Sequence, residues 1–396
     1  MKKILALVLA LCLILGLAGC SQKQTEQVPG ATIDTPLPPD HASEAERTEN
    51  TGSAMRAIAL PVTRETVNAD EYTILFSLSV QTPQLNLQNK ALEEKILGDL
   101  LDRTDPVLED ADQYLEQAQQ DYPATMFWSK YFIDFSYVPT RLDQRVMSLL
   151  IKTSSYCGGS HPSLYSNAVT YDLTTGDVLS LEDILTPECT SETLLKLVSE
   201  NLSLRAEELY EDYQEALNDH FSEPLSSISN WYLCDEGLYF HFNPYELAPY
   251  SIGPVTARFP YDTLNGILLE EFFPTVPTDA TGSMYVQFST KEDSERFRFI
   301  ADAVLQEEGS EVLLYPDASV TDLRIEYGYR DPVDGFFTAE STVFAANVMD
   351  VGDAIRLKAE LSNPLSGLQL VYRSDHQEYS VLITTDEAGR VSLIDT

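Results

Sequence analysis

The chain has 396 residues, which fits one large domain or two ordinary ones. Hydrophobic residues make up 43% and aromatic residues 10%, a globular composition that excludes wholesale disorder. Acids outnumber bases 63 to 25, for a net charge of −38, and a chain this acidic repels phosphate backbones and anionic headgroups. Nucleic acid is therefore not expected as a partner; a basic partner, or plain solubility, stays open.

Lys2 and Lys3 precede an apolar run over residues 4–17, the layout of a secretory signal peptide spanning 1–19. The run is shorter than the roughly 20 apolar residues of a permanent span. It ends in Leu17-Ala18-Gly19-Cys20, which resembles the bacterial lipobox. That resemblance implies cleavage before Cys20 and acylation of Cys20; an ordinary signal peptide with an incidental cysteine is the alternative. Loss of the two lysines deepens the net charge to −40. Residues 20–56 read as a polar tether, with Pro36, Pro38 and Pro39 close together and little that could enter a core. No later stretch is long and apolar enough to span a bilayer. The expectation is an extracytoplasmic protein held to the bacterial cell membrane by lipid.

Residues 57–274 read as a first domain. Tyr72, Ile74, Phe76, Leu78 and Val80 alternate with polar residues, as in a half-buried strand. Leu92, Ile96 and Leu100 recur every four residues, so the pattern turns helical. Asp105-Pro106 has the form of an N-cap and first-turn proline opening a second helix with Leu108, Ala111, Leu115 and Ala118 on its face. Residues 131–138, 146–152 and 169–173 are strand-like, and Ser180-Leu181-Glu182-Asp183 carries a capping-box signature. Leu194, Val198 and Leu202 continue helically, as do Leu209, Tyr213, Leu217 and Phe221. The latter stripe has an acidic outer face of Glu207, Glu208, Glu211, Asp212 and Glu215. Two strands over 230–234 and 237–242 follow, joined by a turn at Asp235-Glu236-Gly237. Few strand pairs have room for a crossover helix, so an α+β fold with a mostly antiparallel sheet and helices packed on it is predicted.

Pro274 to Pro277 marks a plausible boundary. Residues 278–396 read as a smaller, β-rich α+β domain, or a β-rich extension of the first. A strand at 284–288 leads to a predicted helix with Phe297, Ile300, Ala301 and Val304 on one face. A meander then runs through Leu323 to Tyr329, a hairpin turn at Asp334-Gly335, a return over 337–345, and strands near Ile355 to Ala359 and 379–384.

Chemistry is sparse. Cys157 and His161 flank Gly158-Gly159 and offer a nucleophile and a base, but the surrounding residues match no cysteine-protease signature. A glycine-dependent loop with His161 bonded to backbone is the favoured reading. HExxH, CxxC, alternating-Asp calcium loops, G-x-S-x-G, P-loops and dinucleotide fingerprints are all missing, so no catalytic residue, metal site or cofactor is assigned. The excess of carboxylates prevents nomination of any glycosidase-type pair. Cys157, Cys189 and Cys234 allow one disulfide in three possible pairings, or three thiols, the latter being favoured. Residues 243–253, with Asn243-Pro244-Tyr245-Glu246 followed by Pro249-Tyr250, place phenol rings beside prolines. That makes a rigid apolar knob suited to core capping, the reading the residues alone favour, or to partner recognition.

The GGSHP loop, YDLTTGDVLSLEDIL, LCDEGLYFHFNPYELAPYSIG and FPYDTL together resemble the extracytoplasmic domain of RsiV-type anti-sigma factors. The same domain accompanies PdaC-type peptidoglycan deacetylases. The resemblance implies an α+β receptor domain whose ligand in the anti-sigma factor is lysozyme, and which in the deacetylases serves the cell wall. It marks Gly158, Gly159, His161, Pro162, Asn243, Pro244, Tyr245, Glu246, Pro249 and Tyr250 as candidates for ligand binding or loop structure. Neither a sigma-binding segment nor deacetylase motifs accompany it. A non-catalytic surface lipoprotein is expected, its partner a basic protein such as lysozyme, or peptidoglycan. The rival is a cell-wall-active enzyme or accessory with an unrecognised site.

Overall fold

The computed structural model of the chain describes residues 55–122, 127–274, 280–306, 309–331, 336–361, 366–385 and 390–395. The expected signal peptide, Cys20, most of the expected tether, Pro277 and the Asp334-Gly335 turn lie outside these residues. The fold is α+β, and its strands form four sheets joined almost wholly by antiparallel pairs.

The chain opens with β1 (Ala57–Ala59), β2 (Val62–Asn68), β3 (Ile74–Gln81) and β4 (Gln84–Asn86), then helix α1 (Lys90–Asp121). Next come β5 (Tyr131–Leu142), β6 (Val146–Tyr156) and β7 (Ser163–Asp172), which complete a five-stranded sheet in the order β2-β3-β5-β6-β7. Between β3 and β5 the chain crosses over through α1, so this pair runs parallel. Asn89 caps α1 by accepting from the Leu92 amide at 3.3 Å. Leu92, Ile96, Leu100, Ala111 and Ala118 then line one buried stripe over Ile133, Phe135, Tyr137 and Leu149.

Where two helices were expected, α1 is continuous through Pro106. Proline withholds one backbone donor, but the helix is exposed at Asp102, Asp105 and Pro106, so water can satisfy the freed carbonyl. The buried stripe has no break there: Thr104 bonds the Leu100 carbonyl at 3.1 Å, and the Tyr137 hydroxyl donates to the same oxygen at 2.8 Å. Packing on the sheet outweighs the local stop signal.

Helices α2 (Leu181–Ile184), α3 (Ser191–Ser203) and α4 (Tyr213–Phe221) lead to a three-stranded sheet of β8 (Trp231–Leu233), β9 (Gly237–Phe242) and β10 (Val255–Pro260). The expected cap is present, with the Ser180 amide donating to the Asp183 carboxylate at 2.8 Å. Leu194, Val198, Leu217 and Phe221 cover Phe240, Phe242 and Val255 in a second core. Gly237 is required at the β8–β9 turn, because a Cβ there would stand 2.0 Å from the Phe259 carbonyl oxygen.

The remaining residues add β11 (Met284–Phe288), a short helix α5 (Asp293–Arg296), β12 (Phe299–Val304), β13 (Ser310–Pro316), β14 (Val320–Arg330), β15 (Phe337–Met349) and β16 (Asp353–Ala359). They end with β17 (Ser366–Ser374), β18 (Gln377–Thr385) and β19 (Val391–Asp395). The helix expected to carry Phe297, Ile300, Ala301 and Val304 is in fact strand β12, paired in parallel with β16. A short apolar run satisfies both periods; here Ala301 and Ala303 face the core, and the register with β16 decides.

Strands β11-β13-β16-β12 form one sheet and β19-β18-β17-β14-β15-β1-β4 the other. The second sheet thus includes two strands from the beginning of the chain, with Ala57 opposite Ala346 and Ile58 opposite Ala345. Met55, counted with the tether from sequence, is 1% exposed in the third core, and the Arg56 amide bonds the Asn347 side chain at 2.8 Å. The Asn86 amide spans from β4 to both backbone groups of Asp302 on β12, at 3.4 and 3.3 Å. Among the described residues no helix is long and apolar enough to cross a membrane.

Candidate binding surface

The two segments singled out in the sequence meet in space. The β6–β7 connection carries Gly158 and Gly159 at φ 100° and 104°. A side chain at Gly158 would also press to 2.9 Å of the Tyr131 hydroxyl, so glycine answers both demands there. Beyond this turn His161 stacks on Tyr250, ring centroids 3.8 Å apart and planes 18° from parallel. Its Nδ1 lies 2.9 Å from the Pro162 carbonyl, which only accepts, so Nδ1 carries the proton. In the neutral ring Nε2 then accepts from the Tyr245 hydroxyl at 2.9 Å. Tyr245 and Tyr250 complete the cluster with centroids 5.8 Å apart.

A tight turn after β9 presents these rings. The Asn243 amide donates to the Glu246 carboxylate at 2.8 Å, and the Glu246 amide returns to the Asn243 carbonyl at 3.1 Å. Pro244 occupies the first corner, and Tyr245 is held at φ 73°, a left-handed conformation that bulky residues rarely adopt. The Tyr245 amide closes onto the Ala248 carbonyl at 3.0 Å, and Pro249 leads into the single helical turn that carries Tyr250. Tyr245 stays 56% exposed despite this anchoring. Leu247 and Ala248 beneath it are buried in the second core. The knob is thus capped by its own backbone and displays its rings.

Two supports set its position. The Asn243 side chain bonds both backbone groups of Ser166 on β7, accepting at 2.6 Å and donating at 3.1 Å. The Tyr210 amide donates to the Leu247 carbonyl at 2.9 Å, which brings the acidic turn of Glu207, Glu211 and Asp212 alongside; these three and Glu246 are exposed. Behind the knob His241 is 5% exposed, and its Nε2 has no partner. Burial, and then the nearby Lys152 charge, lower its pKa to about 4.

Nothing in this arrangement activates Cys157. Both His161 nitrogens are engaged by Pro162 and Tyr245 rather than by the thiol. Cys157, Cys189 and Cys234 are all free thiols, exposed, buried and half-buried respectively. Among the described residues no group of three His, Cys, Asp or Glu side chains is arranged to hold a metal ion. Sequence reasoning missed Ser166 and the exposed Leu164 and Tyr165 beside the knob, since nothing in a Ser-Leu-Tyr-Ser strand end marks it out.

Residues 182–262 match the model of a family described as a protein of unknown function, DUF3298. The match contains the Asn243–Tyr250 knob but not the GGSHP loop. A DUF3298-family crystal structure from Bacteroides fragilis is similar at 19% identity and a TM-score of 0.42, covering 55% of this chain and 95% of its own. Another, from Pseudomonas aeruginosa, stands at 17% and 0.41, covering 55% and 97%. No curated protein matches.

Proposed function

We propose that this chain is a non-catalytic, lipid-anchored surface protein of the bacterial envelope whose knob of His161, Tyr245 and Tyr250 binds a basic protein. Lysozyme is the named candidate. One observation carries the reading: two segments that resemble RsiV-type receptor motifs converge on one exposed aromatic cluster, its rings held by polar bonds rather than sunk in a core. Aromatic side chains locked in place and ringed by charge are the chemistry of binding anchors. The acids beside the knob suit a cationic partner, whose association they accelerate at low salt.

Calorimetric titration of the full chain with lysozyme tests this. Saturable binding that weakens as salt rises is expected, and Tyr245→Ala should reduce affinity at least about tenfold. A folded protein that gives no heat at low ionic strength would sink the lysozyme reading. Retention on purified peptidoglycan under the same conditions would name the wall as the ligand instead.

A further inference from the structure

The outer edge of β7 runs beside the knob, and its reading as a docking edge rests on the function proposed above. Across β6 and β7, Lys152 faces Ser166 and Ser154 faces Leu164, with no bulge between. Ser166 spends its N–H and C=O on Asn243, so its backbone points away from β6. Thr170 accepts from the Leu179 amide and Asp172 donates to the Asp177 carbonyl, again on the outer side. Even-numbered residues of β7 therefore turn their backbone groups to the free edge, and Leu164 must do the same. One step further out, the Pro162 carbonyl is taken by the His161 ring. Leu164 thus offers an N–H and a C=O between two neighbours already satisfied, and no described residue bonds them on that side. Leu164 is 38% exposed and Tyr165 54%.

An open N–H and C=O on an edge strand is the chemistry of strand addition, in which a second chain supplies the complementary pair. We propose that this edge takes an extended basic segment of the partner polypeptide, one residue of which pairs with Leu164 through both its backbone groups. The occupant is peptide because the open groups match one residue of an extended chain. It is basic because Glu246, Glu207, Glu211 and Asp212 are exposed around the neighbouring knob. The Asn243 amide already fills the next position along the edge, so it fixes the register and forces the segment to turn away there, past Tyr245.

The test uses the isotope-labelled full chain and the blocked peptide acetyl-Lys-Val-Lys-Val-Lys-amide, followed by amide shifts and hydrogen exchange. The Leu164 amide proton is expected to move downfield saturably and to exchange about tenfold more slowly, while Tyr165, bonded into β6, holds still. Leu164→Pro removes the edge donor without touching the ladder to β6 and should weaken the peptide about tenfold. The same peptide N-methylated at its central lysine probes the contact with the protein unaltered, and should lose as much. Equal binding by the N-methylated peptide, or a silent Leu164 at millimolar peptide, overturns the proposal. Lysozyme run in parallel separates the two readings. Heat with lysozyme but no Leu164 shift from either partner removes the edge and leaves the knob; a Leu164 shift from the peptide without lysozyme heat does the reverse.

Discussion

Two aromatic clusters in this molecule look alike in composition and differ in exposure and in backbone setting. On the outer face of the sheet β11-β13-β16-β12, Tyr285 stacks on Tyr315 at 5.9 Å with planes 21° apart, and Phe297 leans on the same ring at 5.5 Å. Tyr315 is 5% exposed and packs with Leu313 and Ala354; both tyrosines sit in regular strands. The His161–Tyr245–Tyr250 knob has similar spacings, yet Tyr245 stands out in solvent from a left-handed backbone position. Both clusters bond their phenols, Tyr285 to Asp317 at 3.0 Å and Tyr245 to His161 at 2.9 Å, but the first rests on a ring buried in its sheet and the second on an exposed turn. Ring counts and ring distances therefore say little about role; what fixes the rings, and how much of them water sees, says more.

The sharpest way to break this contrast is Tyr315→Ala. Removing a buried ring should destabilise the protein by about 3–5 kcal/mol in denaturant unfolding and leave the proposed affinity for lysozyme unchanged in the folded protein. A parallel fall in affinity would show that the two clusters are not independent. Acid should act next, through His241 behind the knob. Its pKa is lowered to about 4, from an ordinary 6.5, by burial and by Lys152. Between those values the unfolded chain binds a proton that the folded chain refuses, so this group's effect on stability turns unfavourable as pH falls through that window. The loss approaches roughly 3 kcal/mol near pH 4, and His241→Gln should remove that part of the acid slope when unfolding is compared at pH 7 and pH 4. The smallest effect is expected from Asn243→Ala, which strips Ser166 of both partners and should cost about 1–3 kcal/mol of stability. Because Asn243 also braces Glu246, this change should weaken the proposed lysozyme binding as well, which Tyr315→Ala should not.

Much of the fold was legible wherever a period ran for five residues or more. The strands at Phe76–Val80, Tyr131–Val138 and Leu323–Tyr329 announce themselves by alternation, and the helical stripe of Leu194, Val198 and Leu202 by its spacing. Pro106 and the run from Phe297 to Val304 misled for opposite reasons. The first is a true local stop overridden by packing, and the second is too short for its period to be unique. The three-residue strands β1 and β4 have no period to read. The site divides the same way. Its residues were legible as two odd segments, but His161 and Tyr245 are 84 positions apart, and Asn243 and Ser166 are 77. An asparagine before a proline reads as a turn former, and sequence gives no sign that its amide stands in for a neighbouring strand.

The seating of β1 between β15 and β4 has a consequence for how the molecule comes to be folded. Arg56, at the doorstep of β1, pairs with Asn347, 291 residues later. One edge of β1 finds β4 nearby, but the other waits for β15, and loop closure over that distance must precede the reward of pairing, which makes for slow assembly. Until β15 arrives, Ile58 and Leu60 lack their final neighbours on that side. A fragment ending between residues 274 and 336 keeps the knob and the two sheets beneath it but leaves its opening strand with an unpaired edge, an exposed template for pairing with other chains.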